Sequence, residues 1–576
     1  MDLNGSQQQA VESDGHILIS ACPGAGKTRV LAARAARLLA SDPAGALAAV
    51  TFTREAADEL RRRILAERPQ DGNRLYAGTF HGLAYRQMRR ARLTGRILSE
   101  HEYREALRRV WETDAVEMKF DEFLELVEQW KSTTALPPDQ GPGVAAFRKY
   151  QSWLHDHGAL DFADILLKTV DGLREGRVTP LAVRWLLVDE SQDMDEVQYA
   201  WLRAHSGAGT QITMVADDDQ SIYGFRHALG YGGLMRFVND HQARQITLPV
   251  NYRCCPEVLA PSARLIGYNT DRVSKAIQAA KPPGGSLEVR VFAERMGEAT
   301  AVAQAVRGAP SRWAVLARTN RLLDAVELAC GIAQIPLQRR GGTGFWESPA
   351  AASLLSLLKS VTDGSWVGLR HALHWCGVKS DGVQLIQALL GSAPPAQWPA
   401  LLAKPPAAQA EAFALTFPPK SPTRRVASLL ISGFADWTAL AAAGREGLVL
   451  AGVARFCALG VPERARETCA WALDALGKMP GSLPARLALV GQNRRHEPDP
   501  NGVVLATLHA AKGLEFPCVW LIAAEEGILP HLDGTLEEER RLCYVGMTRA
   551  EDTLVMSYAV DCGSPSRFLA EASLGR

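Results

Sequence analysis

Eight residues near the start of the chain, Ala21-Cys22-Pro23-Gly24-Ala25-Gly26-Lys27-Thr28, have the make-up of a phosphate-binding loop. In such a loop the backbone N–H groups of a glycine-rich turn, with the N-terminus of the helix that follows, cradle phosphate oxygens. Lys27 is spaced to hold the β- and γ-phosphates of a nucleotide and Thr28 to ligate Mg²⁺. The pattern departs from G-x-x-x-x-G-K-[ST] at its first position, which is Ala21. A second group, Leu186-Leu187-Val188-Asp189-Glu190-Ser191-Gln192-Asp193, ends an apolar run in two adjacent carboxylates. One acid can order a metal and the other can activate water, which fits hydrolysis rather than transfer to a second substrate. On its own the pair could equally be a solvated strand end; the loop upstream favours chemistry. A third group, Tyr544-Val545-Gly546-Met547-Thr548-Arg549-Ala550, places an arginine far downstream. A one-lobe nucleotide hydrolase has no need of it. A two-lobe one does, because nucleotide sits between the lobes and the arginine reports the γ-phosphate to the far one.

The elements that must carry these groups read as βα units. Residues 16–21 form an apolar strand and 28–40 a helix by spacing; 47–53 and 54–67 repeat the plan. Residues 84–175 are helical in pattern and rich in charge and tryptophan, and strands resume at 184–189 and 211–216. Further strands are expected at 287–292, 313–318, 503–508, 519–523 and 553–558. The expected class is α/β: two doubly wound parallel-sheet lobes, each with a helical insertion and ligands at the carboxyl ends of strands. The expected domains are a first lobe at 1–83 and 176–247, an insertion at 84–175, a second lobe at 248–361 and 497–576, and a second insertion at 362–496.

At 576 residues, 47% of them apolar, the chain has enough to bury several cores. A formal charge of +1 excludes a uniformly basic polyanion binder but not a local groove. Arg54, Arg61, Arg62, Arg63, Arg89, Arg90, Arg92, Arg108 and Arg109 make one stretch positive, although a solvated helix face is the commoner fate of such a run. The ten cysteines are scattered without a C-x-x-C, as in a reducing, cytoplasmic setting. His155-Asp156-His157 lacks partner spacing for zinc. The polar first ten residues do not read as a signal peptide, and no apolar run is long enough for a membrane span. No membrane partner is expected. Cys22, among backbone N–H groups and beside Lys27, is expected to be a reactive thiolate.

Further motifs lie between these. Residues 3–10 read Leu-Asn-Gly-Ser-Gln-Gln-Gln-Ala, 51–57 Thr-Phe-Thr-Arg-Glu-Ala-Ala and 78–81 Gly-Thr-Phe-His. Residues 161–167 read Asp-Phe-Ala-Asp-Ile-Leu-Leu, 217–226 Asp-Asp-Asp-Gln-Ser-Ile-Tyr-Gly-Phe-Arg, and 251–253 Asn-Tyr-Arg. Residues 341–345 read Gly-Gly-Thr-Gly-Phe, and 507–516 Thr-Leu-His-Ala-Ala-Lys-Gly-Leu-Glu-Phe. With the arginine motif of 538–550, this ordered set resembles the UvrD/Rep-like DNA helicases of superfamily 1 almost end to end.

The resemblance implies ATP and Mg²⁺ as cofactors and single-stranded DNA, with single/double-strand junctions, as partner. In the nucleotide site it implies that residues 21–28 bind phosphate, that Gln7 reads the adenine edge and that Arg29 and Tyr252 pack on its faces. Glu515 would bind ribose. Lys27, Asp189, Glu190, Gln220, Arg253 and Arg549 would be catalytic, with Thr28 and Asp189 on the metal. Phe52, Thr53, His81, Tyr223, Phe225, Arg226 and His509 would contact DNA. The expected function is a DNA helicase, 3′ to 5′ by resemblance, with a strand-bound translocase that strips proteins as the alternative and a hydrolysis-dead DNA-binding scaffold as a third. Repair or replication proteins are expected partners; spacing says nothing of oligomeric state. Cys22-Pro23 replaces a usual Gly-Ala pair, Ser191 an aromatic and His227 a glycine. The second insertion, with Arg424, Arg425, Arg464, Arg466, Arg494 and Arg495, is expected to be regulatory.

Overall fold

The computed structural model describes residues 3–114, 116–493 and 499–574. It divides the chain into two compact units: residues 1–287, 530–553 and 566–576 form one, and 288–529 and 554–565 the other.

The first unit is built on six strands: β1 (Ile17–Ala21), β2 (Leu47–Thr51), β3 (Leu75–Thr79), β4 (Trp185–Val188), β5 (Gln211–Ala216) and β6 (Arg244–Leu248). Their order is β3-β2-β4-β5-β1-β6 and every neighbouring pair is parallel. Helices cover both faces, so these strands read as apolar runs without alternation. Ile17, Ile19, Leu47, Ala49 and Leu187 pack on one face with Val30 and Leu38. Leu18, Val50, Leu186, Val188 and Met214 pack on the other with Leu83, Ile165 and Trp201. The four expected strands are present, trimmed by a residue or two. The edge strands β3 and β6 were not expected: β6 opens on exposed Arg244 and Gln245, and β3 contains Gly78, so neither gives a full apolar run.

Three helices, Glu100–Thr113, Phe120–Lys131 and Val144–Asp156, enclose a small core of Leu107, Phe123, Val127, Phe147 and Tyr150. A buried ionic clamp helps to tie them to the helix that follows. Lys131 is buried and pairs with Asp161 and, at 2.9 Å, with Asp164, while the Tyr150 hydroxyl donates to Asp161 at 2.8 Å. The two aspartates also form the capping box of the Phe162–Arg174 helix. Removing one partner from such a buried group costs about 3–5 kcal/mol, so the clamp fixes where that helix starts.

The second sheet comprises β7 (Ser286–Phe292), β8 (Trp313–Ala317), β9 (Leu337–Arg340), β10 (Val503–Thr507), β11 (Phe516–Leu521) and β12 (Ala550–Ala559), in the order β7-β12-β11-β8-β10-β9. The expected α/β class with two parallel sheets and helical regions is the one found. Strand β9, Leu-Gln-Arg-Arg, was not expected; it too is a polar edge. Between β9 and β10 the described residues are helical from Pro349–Asp363 to Leu483–Asn493, around Leu354, Leu358, Leu373, Ile431, Phe434 and Val453. There Arg424 donates to Phe417 O and Arg466 to Val461 O, so both side chains bond to their own region. Arg494, Arg495 and the Arg464 side chain lie outside the described residues. Among the described residues no helix is long and apolar enough to cross a membrane.

Candidate nucleotide and nucleic-acid site

Strands β4, β5 and β1 are neighbours, and their carboxyl ends release the acidic pair, the Asp217–Gln220 turn and the glycine loop side by side. Gly24 and Gly26 have φ of +63° and +77°, where a side chain is strained. At Gly24 a Cβ would also stand 2.7 Å from that of Arg253, so glycine lets the arginine's backbone lie directly on the loop. Gly26 caps the Lys27–Ser41 helix without a side-chain bond, leaving the first N–H groups turned into the loop.

Lys27 Nζ lies 2.9 Å from Glu190 Oε1. Burial alone would lower the lysine's pKa, but the carboxylates of Glu190, Asp217 and Asp189 raise it, so Lys27 is a firm cation. Asp189 is pushed up to about 7, by burial first and by Glu190 second. Glu190 itself has φ +51°, a conformation that costs a non-glycine residue about 1–3 kcal/mol and is tolerated where function needs it. The donors fit Mg²⁺: the Thr28 hydroxyl and Asp189 carboxylate are hard oxygens, and Mg²⁺ takes only one or two protein oxygens beside phosphate and water. A divalent cation would add to Lys27 as counter-charge for buried Asp189. Among the described residues no cluster of three or more His, Cys, Asp or Glu could hold a metal alone.

A chain of hydrogen bonds runs from Arg549 to Lys27. Arg549 Nη2 donates to Gln220 Oε1 (3.0 Å) and Gln220 Nε2 to Asp217 Oδ2 (2.5 Å). Asp217 N donates to Gln192 Oε1 (3.0 Å), and Gln192 Nε2 to Glu190 Oε2 (2.6 Å), the partner of Lys27. Arg549 is fully buried; burial first and Arg253 next lower its pKa to about 10, which leaves it charged at neutral pH. Arg253 donates Nη1 to Thr548 O at 3.4 Å. Asn251 sets its place: Asn251 Nδ2 donates to Pro23 O (2.7 Å), and Oδ1 accepts from the N–H groups of Arg253 (2.9 Å) and Cys254 (2.7 Å).

On the other side of the loop, Gln7 Nε2 donates to Ala25 O at 3.0 Å, and its Oε1 accepts from Asn4 N in a capping box. Tyr252 N donates to Gly24 O, and its hydroxyl accepts from Asn4 Nδ2 at 2.8 Å. Gln7, Tyr252 and residues 21–28 are thus brought together, with Arg29 half-buried in the first turn of the helix.

Cys22 corrects an expectation. It is fully buried, its N–H donates to Leu248 O at 3.0 Å, and burial with Asp217 beside it drives the thiol's pKa well up, against the thiolate that the loop's N–H groups suggested. Alkylation of the native protein at neutral pH is expected to leave Cys22 unlabelled, with labelling appearing only in denaturant; peptide mass mapping checks it, and rapid native labelling would contradict the burial.

The expected DNA contacts form two groups. Phe52, partly exposed, meets Phe80 edge-on at 5.7 Å. Thr53 accepts from Ala56 N and so caps the Arg54–Glu67 helix. His81 stacks on Phe162 at 4.0 Å, and burial lowers its pKa to about 4, so it is a neutral ring. The second group is Tyr223, Phe225 and Arg226: the rings meet at 5.9 Å and the guanidinium lies over both. Phe225 and Phe162 are 61% and 62% exposed, unusual for rings and suited to stacking. Phe162 and Arg226 line one cavity of about 510 Å³ with Tyr103, Glu128 and Asp195. His509 and Glu515 are in the second unit, in the turn after β10, half-buried and exposed respectively.

Sequence reasoning gave no role to Gln192, Asn251 or Phe162, and it did not see Lys275. This lysine is wholly buried, 2.6 Å from Asp218, 3.1 Å from Asp219 and 3.7 Å from Asp217, and Arg272 holds both oxygens of Asp219 at 2.7 Å. The signal was available: three successive aspartates after an apolar strand cannot all be buried and ionised without a cation. Ser191, in place of an aromatic, donates to Val215 O. His227 has φ +59°, which explains a preference for glycine there.

Residues 3–241 match the UvrD/REP helicase N-terminal domain and residues 482–561 the UvrD-like helicase C-terminal domain. DNA helicase II of Haemophilus influenzae is 27% identical, the match covering 99% of this chain and 86% of the relative. DNA helicase II of Escherichia coli K12 is 29% identical, covering 99% and 87%. ATP-dependent DNA helicase PcrA of Staphylococcus epidermidis is 26% identical, covering 99% and 86%. With both halves of the family pattern matched in order and relatives aligned along nearly its whole length, the chain belongs to the UvrD/Rep helicase family.

Proposed function

We propose that the protein is an ATP-dependent motor that moves along single-stranded DNA, 3′ to 5′, and separates duplex ahead of it. The observation that carries this is the unbroken run of polar contacts from Arg549 through Gln220, Asp217, Gln192 and Glu190 to Lys27, with the exposed ring of Phe225 five residues past Gln220. A change at the γ-phosphate would disturb Lys27 and Arg549 first, and Gln220 is bonded to one end of that run.

In this reading Lys27 and the loop N–H groups hold the β- and γ-phosphates, and Glu190 accepts the proton of the attacking water. Lys27 must leave Glu190 for phosphate before Glu190 can act as base. Arg253 and Arg549 meet the charge that develops on the transferred group, and Gln220 senses it. Thr28 and Asp189 hold Mg²⁺, which neutralises phosphate charge when bound. Gln7, Arg29 and Tyr252 receive adenine, and Glu515 the ribose. Phe52, Thr53, His81, Tyr223, Phe225, Arg226 and His509 grip the strand by stacking and polar contact, which tolerates any base sequence. The first lobe spans 1–83 and 176–247 and the second 248–361 and 497–576, with a helical insertion at 84–175 and a second, regulatory insertion at 362–496.

The test is strand displacement on 3′-tailed, 5′-tailed and blunt duplexes, beside ATPase with single-stranded DNA or RNA. Release from the 3′-tailed substrate alone supports the proposal. Stimulated ATPase without release from any substrate replaces it with a translocase, and ATPase indifferent to nucleic acid ends it.

Phe225→Ala is expected to separate hydrolysis from movement. Losing one stacked base should weaken strand binding by about 1–3 kcal/mol, while ATPase at saturating DNA persists. Dissociation constants and nucleotides travelled per ATP give the readout; normal travel per ATP would contradict the coupling.

A further inference from the structure

We infer that Glu538 is a positioning residue that clips the strand-facing turn of residues 223–226 to the helix Leu536–Met547, the helix whose far end leads into Arg549. The inference rests on the functional reading above and deepens it.

Three successive glutamates occupy the first turn of that helix, where acids are favoured by the exposed N–H groups. That preference explains their presence but not their partners, which differ. Glu537 accepts from Thr270 N and its hydroxyl, at 2.9 and 3.0 Å. Glu539 accepts from His531 N at 2.9 Å. Glu538 Oε1 accepts from Gly224 N at 2.9 Å. Glu538 is the third residue of the helix, from which a glutamate commonly folds back to the cap residue's own N–H. Here Thr535 supplies the cap through its hydroxyl, and the Glu538 carboxylate reaches across to another segment instead.

Gly224 fits this contact from its own side. A Cβ there would meet Glu538 Oε2 at 2.9 Å, Oε1 at 3.1 Å and Cδ at 3.2 Å. Its φ is not in the left-handed region, so close approach, not conformation, is what glycine provides.

Distances complete the argument. The helix of 12 residues is about 18 Å long. The four steps from Gln220 to Gly224 reach at most about 14 Å. Arg549 holds Gln220 at 3.0 Å beyond one end of the helix and Glu538 holds Gly224 at 2.9 Å in its first turn. The segment is thus fastened at Gln220 to the arginine beyond the helix and at Gly224 to the helix's first turn. Asp218 and Asp219, just before it, are fixed by Val273 N, Lys275 and Arg272. With its start fixed in this way, the Glu538 contact is what ties Tyr223–Arg226 to the helix. A rigid helix fastened at both ends converts a shift of Arg549 into a shift of that turn. Cutting the Glu538 clip leaves the nucleotide end intact and lets the strand end slip.

The experiment compares wild type with Glu538→Ala, Glu538→Gln, Gly224→Ala and the double variant Gly224→Ala/Glu538→Ala. Glutamine keeps the accepting oxygen and removes the charge, so it separates the clip from a helix-end charge effect. Hydrogen exchange of the peptide containing Gly224, without DNA or nucleotide, reports the clip directly. The Gly224 amide should exchange about tenfold faster in Glu538→Ala and at the wild-type rate in Glu538→Gln. DNA-free ATPase and the KM for ATP should stay within about twofold in Glu538→Ala, while stimulation by single-stranded DNA falls about tenfold or more, the scale of one lost charged hydrogen bond. Gly224→Ala should lose stimulation likewise, and the double variant should be no worse than either, because both break one contact. Glutamine behaving as alanine, unchanged exchange in Glu538→Ala, or full stimulation in Glu538→Ala would overturn the inference. A wild type whose ATPase ignores DNA would refute the functional reading, and the exchange result would still decide whether the clip exists.

Discussion

Lys27→Ala is expected to hydrolyse ATP at least about a thousandfold more slowly than wild type, a barrier increase of roughly 4 kcal/mol. The lysine is the cation nearest the acidic pair, 2.9 Å from Glu190, and in the proposed cycle it moves onto phosphate. Its loss acts twice. The developing charge on the transferred phosphoryl group loses a fixed counter-charge, and buried Asp189 and its half-buried neighbour Glu190 lose the cation that helps two adjacent carboxylates ionise together. Asp189, proposed to hold the metal, is then harder to ionise, because Lys27 is among the groups that lower its pKa, and the KM for ATP should rise as well. Single-strand binding should be unchanged, because Phe225, Arg226, Phe162 and His81 make no contact with Lys27 among the interactions described. Steady-state ATPase and fluorescence anisotropy with a labelled oligonucleotide check both halves. Turnover within about tenfold of wild type, under roughly 1.4 kcal/mol, would remove the loop from the mechanism.

Arg549→Ala and Arg253→Ala should each lower kcat by about 10²–10⁴-fold, with a much smaller change in nucleotide affinity. Arg253→Ala is the cleaner test, since its Cβ already rests on Gly24 and alanine keeps that contact. Arg549→Ala removes more than a charge: it also frees the Gln220 oxygen that it holds at 3.0 Å. Combined with Gln220→Ala its effect should therefore fall short of the sum of the two single losses, as for residues of one network. Single-turnover hydrolysis with separately measured nucleotide binding decides the matter. Strict additivity would mean the two residues act independently, and loss of binding at a normal maximal rate would end the finger role.

The residues legible from sequence are those whose chemistry is written in short spacings. Residues 21–28, the Asp189-Glu190 pair and the 217–226 segment each sit at a strand end, and such ends are where a parallel sheet collects its ligands. Residues whose role depends on a distant partner were silent. Gln192 matters because its amide reaches Glu190 and Asp217 at once, and Phe162 because it meets His81. Lys275 acts through three carboxylates more than fifty residues upstream, although their charge implied that a cation had to exist. Cys22 failed for a different reason. Local N–H groups favour a thiolate, but complete burial beside Asp217 opposes it more strongly, and burial is a property of the fold, not of the loop. The edge strands β3, β6 and β9 escaped because an edge needs fewer apolar residues than a strand covered on both faces.

The order in which the chain is made has a consequence for when the protein can first act. The first unit takes residues 1–287 from early synthesis, yet Arg549 and the helix before it come from 530–553, after all of 288–529. At about 5–20 residues per second, tens of seconds separate translation of the glycine loop's neighbourhood from translation of the arginine. Until residue 549 is made, a nascent chain carries Lys27, Glu190 and Arg253 but not the Arg549–Gln220 contact. A message cut short between codons 253 and 549 encodes Lys27, Glu190 and Arg253 without the arginine that bonds Gln220. Late delivery of one arginine makes the Arg549–Gln220 contact wait until residues 288–529 have been made.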